Sequence, residues 1–397
     1  MKKLFIFFSL IVLMALTVVY ILDYYEYFNI QEIFNKITNV ENESNDDNNE
    51  LQDDDNNDIN DDENESNENN NDIKDDDNGN TNTIVSGELT IAFLETGNKY
   101  TGDSIYIKAG ETDVLIDAGS RQSSSTTISN FINNYVTDSV LEYVIATHAH
   151  QDHIAGFVGT KNDPGIFELY DCKTIIDFPK SDSTSSIYNK YIEARTKEVE
   201  LGAKHYTALE CYNNENGASR IINLSDSVTL EILYNYYYDH KASTENDYSV
   251  CLMINHGTRK YLFTGDLEHK GEEYLVEYNT LGKVDLFKAG HHGSYTASTN
   301  ALLEVIKPDI VCICCCAGSD EYTSNPDNMF PAQDFISRIC KYTDKVYVTS
   351  IATENGFESM NGNIIVSSTS DGITINCTNN NTILKDTEWF KKNRKWE

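Results

Sequence analysis

Residues Thr147 to Gly156 read THAHQDHIAG and follow directly on the apolar run Leu141 to Ala146 (LEYVIA), so three imidazoles and a carboxylate fall together at the end of a strand. A single histidine packs readily into a protein interior. His148, His150, Asp152 and His153 on one loop instead give a density of nitrogen and oxygen donors that suits a borderline metal such as zinc, with manganese or iron also compatible. Such a loop needs further ligands from distant parts of the chain, brought in on the ends of other strands. The 397 residues are enough for the large buried core this requires.

The remaining pattern supplies those strands. From Gly87, the stretches GELTIAFLETG, DSIYIKAG and ETDVLIDAG read as three short strands separated by glycine-containing turns. Ser129 to Val136 carries helical spacing, and a helix is predicted over Ser186 to Leu201 and another over Pro331 to Tyr342. Strands are predicted in Ser227 to Tyr234, Ser249 to His256, Lys260 to Thr264, Val284 to Ala289 and Asp309 to Cys315. Three more fit Lys345 to Ser350, Gly362 to Ser367 and Gly372 to Asn376. Strands alternate with helices in two blocks, which predicts a mixed α/β domain over 87–378, followed by a tail at 379–397. Four of the nine cysteines crowd into Val311 to Cys316 (VCICCC) without zinc-ribbon spacing, and they read as buried strand residues.

The blocks LIDAG, THAHQDHIAG, NDYS, LFTGD and KAGHHGS, in that order, resemble the metallo-β-lactamase superfamily. With the Gly102-Asp103-Ser104 turn and the KPDIVCICC strand, they look like the hydrolase domain of the ComEC-type competence proteins and their stand-alone relatives. The resemblance implies a four-layered αββα sandwich closed over two divalent ions, zinc or alternatively manganese. It places His148, His150, Asp152, His153, Asp266 and His291 as metal ligands, with His292 able to replace His291, and Asp117 as an orienting residue behind them. One ligand departs from the pattern: where many members supply a third-motif histidine, this chain offers Asn246 and Ser249. Asp320 to Pro331 also lacks the histidine-proline common in relatives, which leaves Tyr322 or Asn325 to border the substrate. His240 reads as a loop residue.

Two ions of this kind lower the pKa of bound water to about 7, so attack needs no serine or cysteine. Asp152 would orient the attacking water, and His292 or Ser294 would protonate the leaving oxygen or hold the substrate. The reaction implied is hydrolysis of a phosphodiester, either a nucleic acid or a small diester. The alternatives are hydrolysis of another ester, thioester or amide, and a non-catalytic metal-stabilised surface module.

Ahead of the domain, Lys2 and Lys3 precede LFIFFSLIVLMALTVVYIL, an apolar run long enough to cross a bilayer. With no small-x-small cleavage site before Asp23, residues 1–23 read as an uncleaved anchor that places the rest of the chain outside the membrane; a cleaved signal would give a secreted form. Within 24–86, Glu41 to Asp77 holds eighteen acidic side chains against Lys74 alone, about half of the net charge of -34, and reads as a solvated spacer. It lacks the glycine and glutamate positions of an EF-hand loop. The acidic balance disfavours a general nucleic-acid binder, since only Lys391 to Lys395 (KKNRK) is distinctly basic. The sequence identifies no protein partner.

Overall fold

The computed structural model describes residues 89–397. The anchor expected at 1–23 and the spacer expected within 24–86 lie outside the described residues. Among the described residues no helix is long and apolar enough to cross a membrane.

Two eight-stranded sheets form the domain. The first combines β1 (Leu89–Phe93), β2 (Ile105–Ala109), β3 (Thr112–Ile116), β4 (Val140–Ile145), β5 (Asp171–Asp177) and β6 (Lys204–Thr207) with β15 (Ile364–Thr369) and β16 (Gly372–Cys377), in the order β16-β15-β1-β2-β3-β4-β5-β6. The second runs β14-β13-β12-β11-β10-β9-β8-β7, from β7 (Ile221–Asn223), β8 (Val228–Ile232), β9 (Leu252–His256), β10 (Arg259–Phe263), β11 (Leu286–Lys288), β12 (Ile310–Ala317), β13 (Val346–Thr353) and β14 (Gly356–Ser359).

Each sheet has a parallel core, β3 to β6 in one and β10 to β13 in the other. Parallel strands are covered on both faces, which explains why LEYVI and IVCICC read as near-continuous apolar runs. They also release their following loops at one edge. Asp117 follows β3, the histidine-rich loop follows β4, Asp266 follows β10, His291 and His292 follow β11, and Tyr322 follows β12. These five loops thus leave the carboxyl ends of parallel strands, where open α/β sheets carry their sites.

Alternation along the second sheet decides which side chains face the first. Leu230, Ile232, Leu252, Ile254, Tyr261, Phe263, Cys312 and Cys314 pack in the core shared with β1 to β4. Their neighbours Cys251, Met253, Leu262, Phe287, Val311, Ile313 and Cys315 pack with three helices, α6 (His269–Tyr278), α7 (Asn300–Ile306) and α8 (Gln333–Ile339). Among the described residues the other α-helices are α1 (Ser124–Ile132), α2 (Gln151–Ile154), α3 (Ile166–Leu169), α4 (Ser186–Leu201), α5 (Ala208–Asn213) and α9 (Glu388–Asn393). The sandwich expected from the sequence is present, and all nine cysteines are free thiols. Seven are buried, including the four of β12.

Three local expectations shift. The helix predicted at Ser129 to Val136 starts earlier, because Ser124 and Ser125 are buried by hydrogen bonding rather than by apolar spacing: Ser125 Oγ donates to the carbonyls of Gln122 (2.9 Å) and Pro164 (2.8 Å). The helix predicted at Pro331 to Tyr342 is shorter, forming only over α8 (Gln333–Ile339). The segment read as a tail packs onto the domain, with Leu384 and Phe390 buried and Arg394 donating to the carbonyls of Pro331 (2.8 Å) and Met329 (2.7 Å).

Candidate metal centre

The β4 loop is held in place before any side chain reaches the centre. Ala118 N–H donates to the His153 carbonyl (2.7 Å) and Asp103 N–H to that of Asp152 (3.0 Å). Gly156 permits this approach, since a Cβ there would lie 2.0 Å from the Ala118 carbonyl oxygen. Asp117, at φ 56°, accepts from Thr147 N–H (2.8 Å) and Thr147 Oγ (2.7 Å), which ties the ends of β3 and β4 together.

Four donor atoms then close a ring. His153 Nε2 lies 3.1 Å from Asp266 Oδ2, which lies 3.3 Å from His292 Nε2; that nitrogen is 3.1 Å from Asp152 Oδ2, itself 3.9 Å from His153 Nε2. Two ligands held about 2.0–2.1 Å from a tetrahedral cation sit roughly 3.3 Å apart, so the spacing fits a divalent ion. Behind the ring, Asp117 Oδ2 faces His153 Nδ1 at 2.7 Å and Asp103 Oδ1 faces His292 Nδ1 at 3.1 Å. A carboxylate behind each imidazole fixes the ring so that Nε2 points to the centre.

Beside this ring, His148 Nε2 lies 3.0 Å from His150 Nδ1 and 3.9 Å from Asp266 Oδ2. Its Nδ1 faces the hydroxyls of Thr147 (3.2 Å) and Ser249 (3.4 Å). Ser249 Oγ also accepts from Asp266 N–H (3.0 Å), so it supports the ligands from behind. Asn246 donates to Glu268 Oε1 (3.0 Å), and its own Oδ1 is buried without a partner. His291 Nε2 is 3.8 Å from Asp266 Oδ2, while its Nδ1 faces Thr296 Oγ1 at 2.9 Å. His291 and His292 are both left-handed (φ 46° and 54°), a conformation that costs non-glycine residues on the order of 1 kcal/mol each.

Tyr322 donates to Asp152 Oδ2 (3.0 Å) while half of its surface remains exposed, placing a hydroxyl at the mouth of the centre. Ser294 and Asn325 are not brought to the donors. Ser294 Oγ pairs with Thr296 Oγ1 (3.1 Å) and supports the loop, and Asn325 is exposed, its Oδ1 accepting from Asp327 N–H (3.2 Å). His240 stacks on Tyr236 in its loop, 3.8 Å between ring centroids.

Sequence reading passed over two partners. Asp103, quoted only as part of a turn, groups with His153, Asp266 and His292 into one buried cluster. The Lys288 ammonium already serves the side of that cluster formed by Asp103 and Asp266, pairing closely with Asp103 Oδ2 and lying 3.5 Å from Asp266 Oδ1. The signal for Lys288 was a lysine in an otherwise apolar strand, since a buried lysine requires a paired anion.

The electrostatics match a cation centre. Burial opposes charge on His153, yet Asp266, Asp117 and Asp152 push its pKa well above the ordinary imidazole value. Burial is likewise outweighed at His292 by Asp266 and Asp103. His148 moves the other way, held well below the ordinary value by burial and by His153. Burial would raise Asp152 and Asp266, but His153 leads the groups that hold both carboxyls low. Carboxylates packed this tightly call for positive charge, and divalent ions would supply it while the histidines stay neutral.

The profile of the Metallo-beta-lactamase superfamily matches residues 97–165 and 242–317, which include His148 to His153, Asp266, His291 and His292. Over these two stretches the chain is similar to that superfamily. Two curated proteins are similar to it. Recombination protein 2 of Haemophilus influenzae is 32% identical over 108 residues, covering 27% of this chain and 13% of that protein. ComE operon protein 3 of Bacillus subtilis is 23% identical over 171 residues, covering 42% and 19% respectively. The match thus spans less than a fifth of the length of either relative. Among solved structures, the metallo-beta-lactamase fold protein YhfI from Bacillus subtilis shares 16% identity at a TM-score of 0.28, covering 51% of this chain and 71% of YhfI. The buried donors of the matched stretches suit divalent ions.

Proposed function

We propose that this chain is a metal-dependent phosphodiesterase acting on small phosphodiesters, held on the outer face of the membrane by residues 1–23. The observation that carries the reading is the shared position of Asp266 Oδ2, 3.1 Å and 3.3 Å from His153 and His292 on one side and 3.9 Å from His148 on the other. A carboxylate common to two cation positions suits chemistry that must hold both the attacking and the leaving oxygen of a phosphoryl group. When bound, the ions supply an activated water and neutralise charge on the phosphoryl oxygens.

The chain's own residues organise the rest. Asp152, facing the centre beside His292, accepts a hydrogen bond and so orients the attacking water. Tyr322 O–H, at the mouth, donates to Asp152 and is placed to donate to a substrate oxygen that displaces it. Asp117 and Asp103 keep the His153 and His292 rings aimed inward.

The size of the substrate follows from charge. The described residues hold 42 acidic and 26 basic side chains, and the basic groups near the centre are already engaged: Lys288 by Asp103, Arg121 by Glu321 at 3.5 Å. Arg394 of the basic C-terminal stretch is turned inward onto carbonyls. A long phosphate backbone finds no basic track here. A small diester, such as a phosphocholine ester, needs none.

The test is turnover by the zinc- or manganese-loaded chain of bis-p-nitrophenyl phosphate, phosphocholine esters and single-stranded DNA. Hydrolysis of the small diesters, lost in Asp152→Ala, supports the reading. A loaded protein inert toward every diester contradicts it and turns attention to other esters, thioesters and amides, or to binding alone.

A further inference from the structure

The side of Asp266 that carries His148 and His150 lacks the third-motif histidine, and Ser249, which sits nearest, is committed to supporting the ligands from behind. We propose that the adjacent histidines are divided between two cation sites: His292 completes the ring with Asp152, His153 and Asp266, and His291 takes the vacant ligand position beside His148 and His150.

Backbone geometry makes the division possible. With consecutive left-handed residues, both rings approach the same Asp266 oxygen, at 3.8 Å for His291 Nε2 and 3.3 Å for His292 Nε2, while their centroids stay 6.0 Å apart. Their other nitrogens are anchored on different parts of the domain. His292 Nδ1 faces Asp103 (3.1 Å) and the Cys314 carbonyl (2.9 Å), whereas His291 Nδ1 faces Thr296 (2.9 Å) and Glu268 Oε1 (3.4 Å). Each Nε2 is thereby left for a cation.

The neighbours of His291 identify its side. Glu268, behind His291, also accepts from Asn246, and Ser249 of the same short segment lies against His148 Nδ1. The segment that would have carried the third-motif histidine therefore touches His148 directly and His291 through Glu268. His148 Nε2 and His291 Nε2 stand at nearly equal distances, 3.9 Å and 3.8 Å, from the shared oxygen. The inference rests on the cation-centre reading but not on the choice of substrate.

The experiment loads the metal-free full chain with cobalt(II), removes the excess by desalting, and measures cobalt per chain together with the visible d–d absorption. Two ions are expected in the wild type. His291→Ala should halve the bound cobalt, and adding His148→Ala should cause no further loss because both serve one site. His291→Ala with His292→Ala should bind none. A His291→Ala chain that keeps two ions with an unchanged spectrum overturns the division, as does loss of both ions from the His148→Ala/His291→Ala pair. Loss of one ion in Asn246→Ala alongside full retention in His291→Ala would assign the place to Asn246 and overturn it as well. Each variant is checked by thermal unfolding, and if an alanine variant does not fold, His291→Gln reads the same loss. Cobalt content involves no substrate, so an inert enzyme leaves this result standing and a failed division leaves the diester assay standing.

Discussion

The two sides of Asp266 differ in what stands behind their histidines. On one side both rings are fully buried and backed by carboxylates, Asp117 behind His153 and Asp103 behind His292. On the other, His148 is equally buried but backed by the hydroxyls of Thr147 and Ser249, His150 is exposed, and His291 Nδ1 meets Thr296 Oγ1 at 2.9 Å with Glu268 farther off at 3.4 Å. A carboxylate makes an imidazole a better ligand and fixes its tautomer, while a hydroxyl does less. On the proposed two-cation reading, the difference makes one position tight and the other labile around a single shared oxygen.

The most severe way to break that asymmetry is to remove the shared group. Asp266→Ala should lose both ions, and turnover should fall by more than the roughly 100-fold that loss of a supporting residue can cost. Metal analysis beside a kinetic assay checks this. Next, Asp103→Asn and Asp117→Asn should weaken only the carboxylate-backed side, by about 10- to 100-fold in metal affinity, read by competition with a chromophoric chelator. Equal weakening of both ions would erase the distinction. Tyr322→Phe should leave metal content unchanged and lower turnover by about three- to tenfold, the value of one hydrogen bond at the mouth.

The smallest effect on activity concerns the loop that follows the histidine pair. Glu272, fully buried, accepts from the backbone N–H groups of Ser298 (2.6 Å) and Thr299 (2.7 Å), and burial pushes its pKa up to about 7. The folded state therefore holds a proton that the unfolded chain releases near its ordinary value of 4.5. Its contribution is fully present below that value and is lost as pH rises toward 7, a fall of about 3 kcal/mol in order of magnitude. Denaturant melts from pH 4 to 8 should show the decline in the wild type and a flatter profile in Glu272→Gln.

Much of this was legible in the sequence because strand-end motifs are local. LIDAG, THAHQDHIAG, LFTGD and KAGHHGS each end or follow an apolar run, and the parallel strands deliver them to one edge. The helix Ser186–Leu201 keeps its expected bounds. What sequence could not supply was pairing across the sandwich. Asp103 acts through contacts with His292 and Lys288, residues far along the chain whose meeting depends on how the two sheets face each other. The sequence also left His291 and His292 as alternatives. Only their left-handed backbone brings both rings to Asp266.

Calorimetric titration of zinc into the metal-free full chain tests the central claim most directly. Two resolved events are predicted, a tight one abolished by His292→Ala and a weaker one abolished by His148→Ala. A single event of one ion per chain, or two events that respond identically to both substitutions, would contradict the account of two unequal sites sharing Asp266.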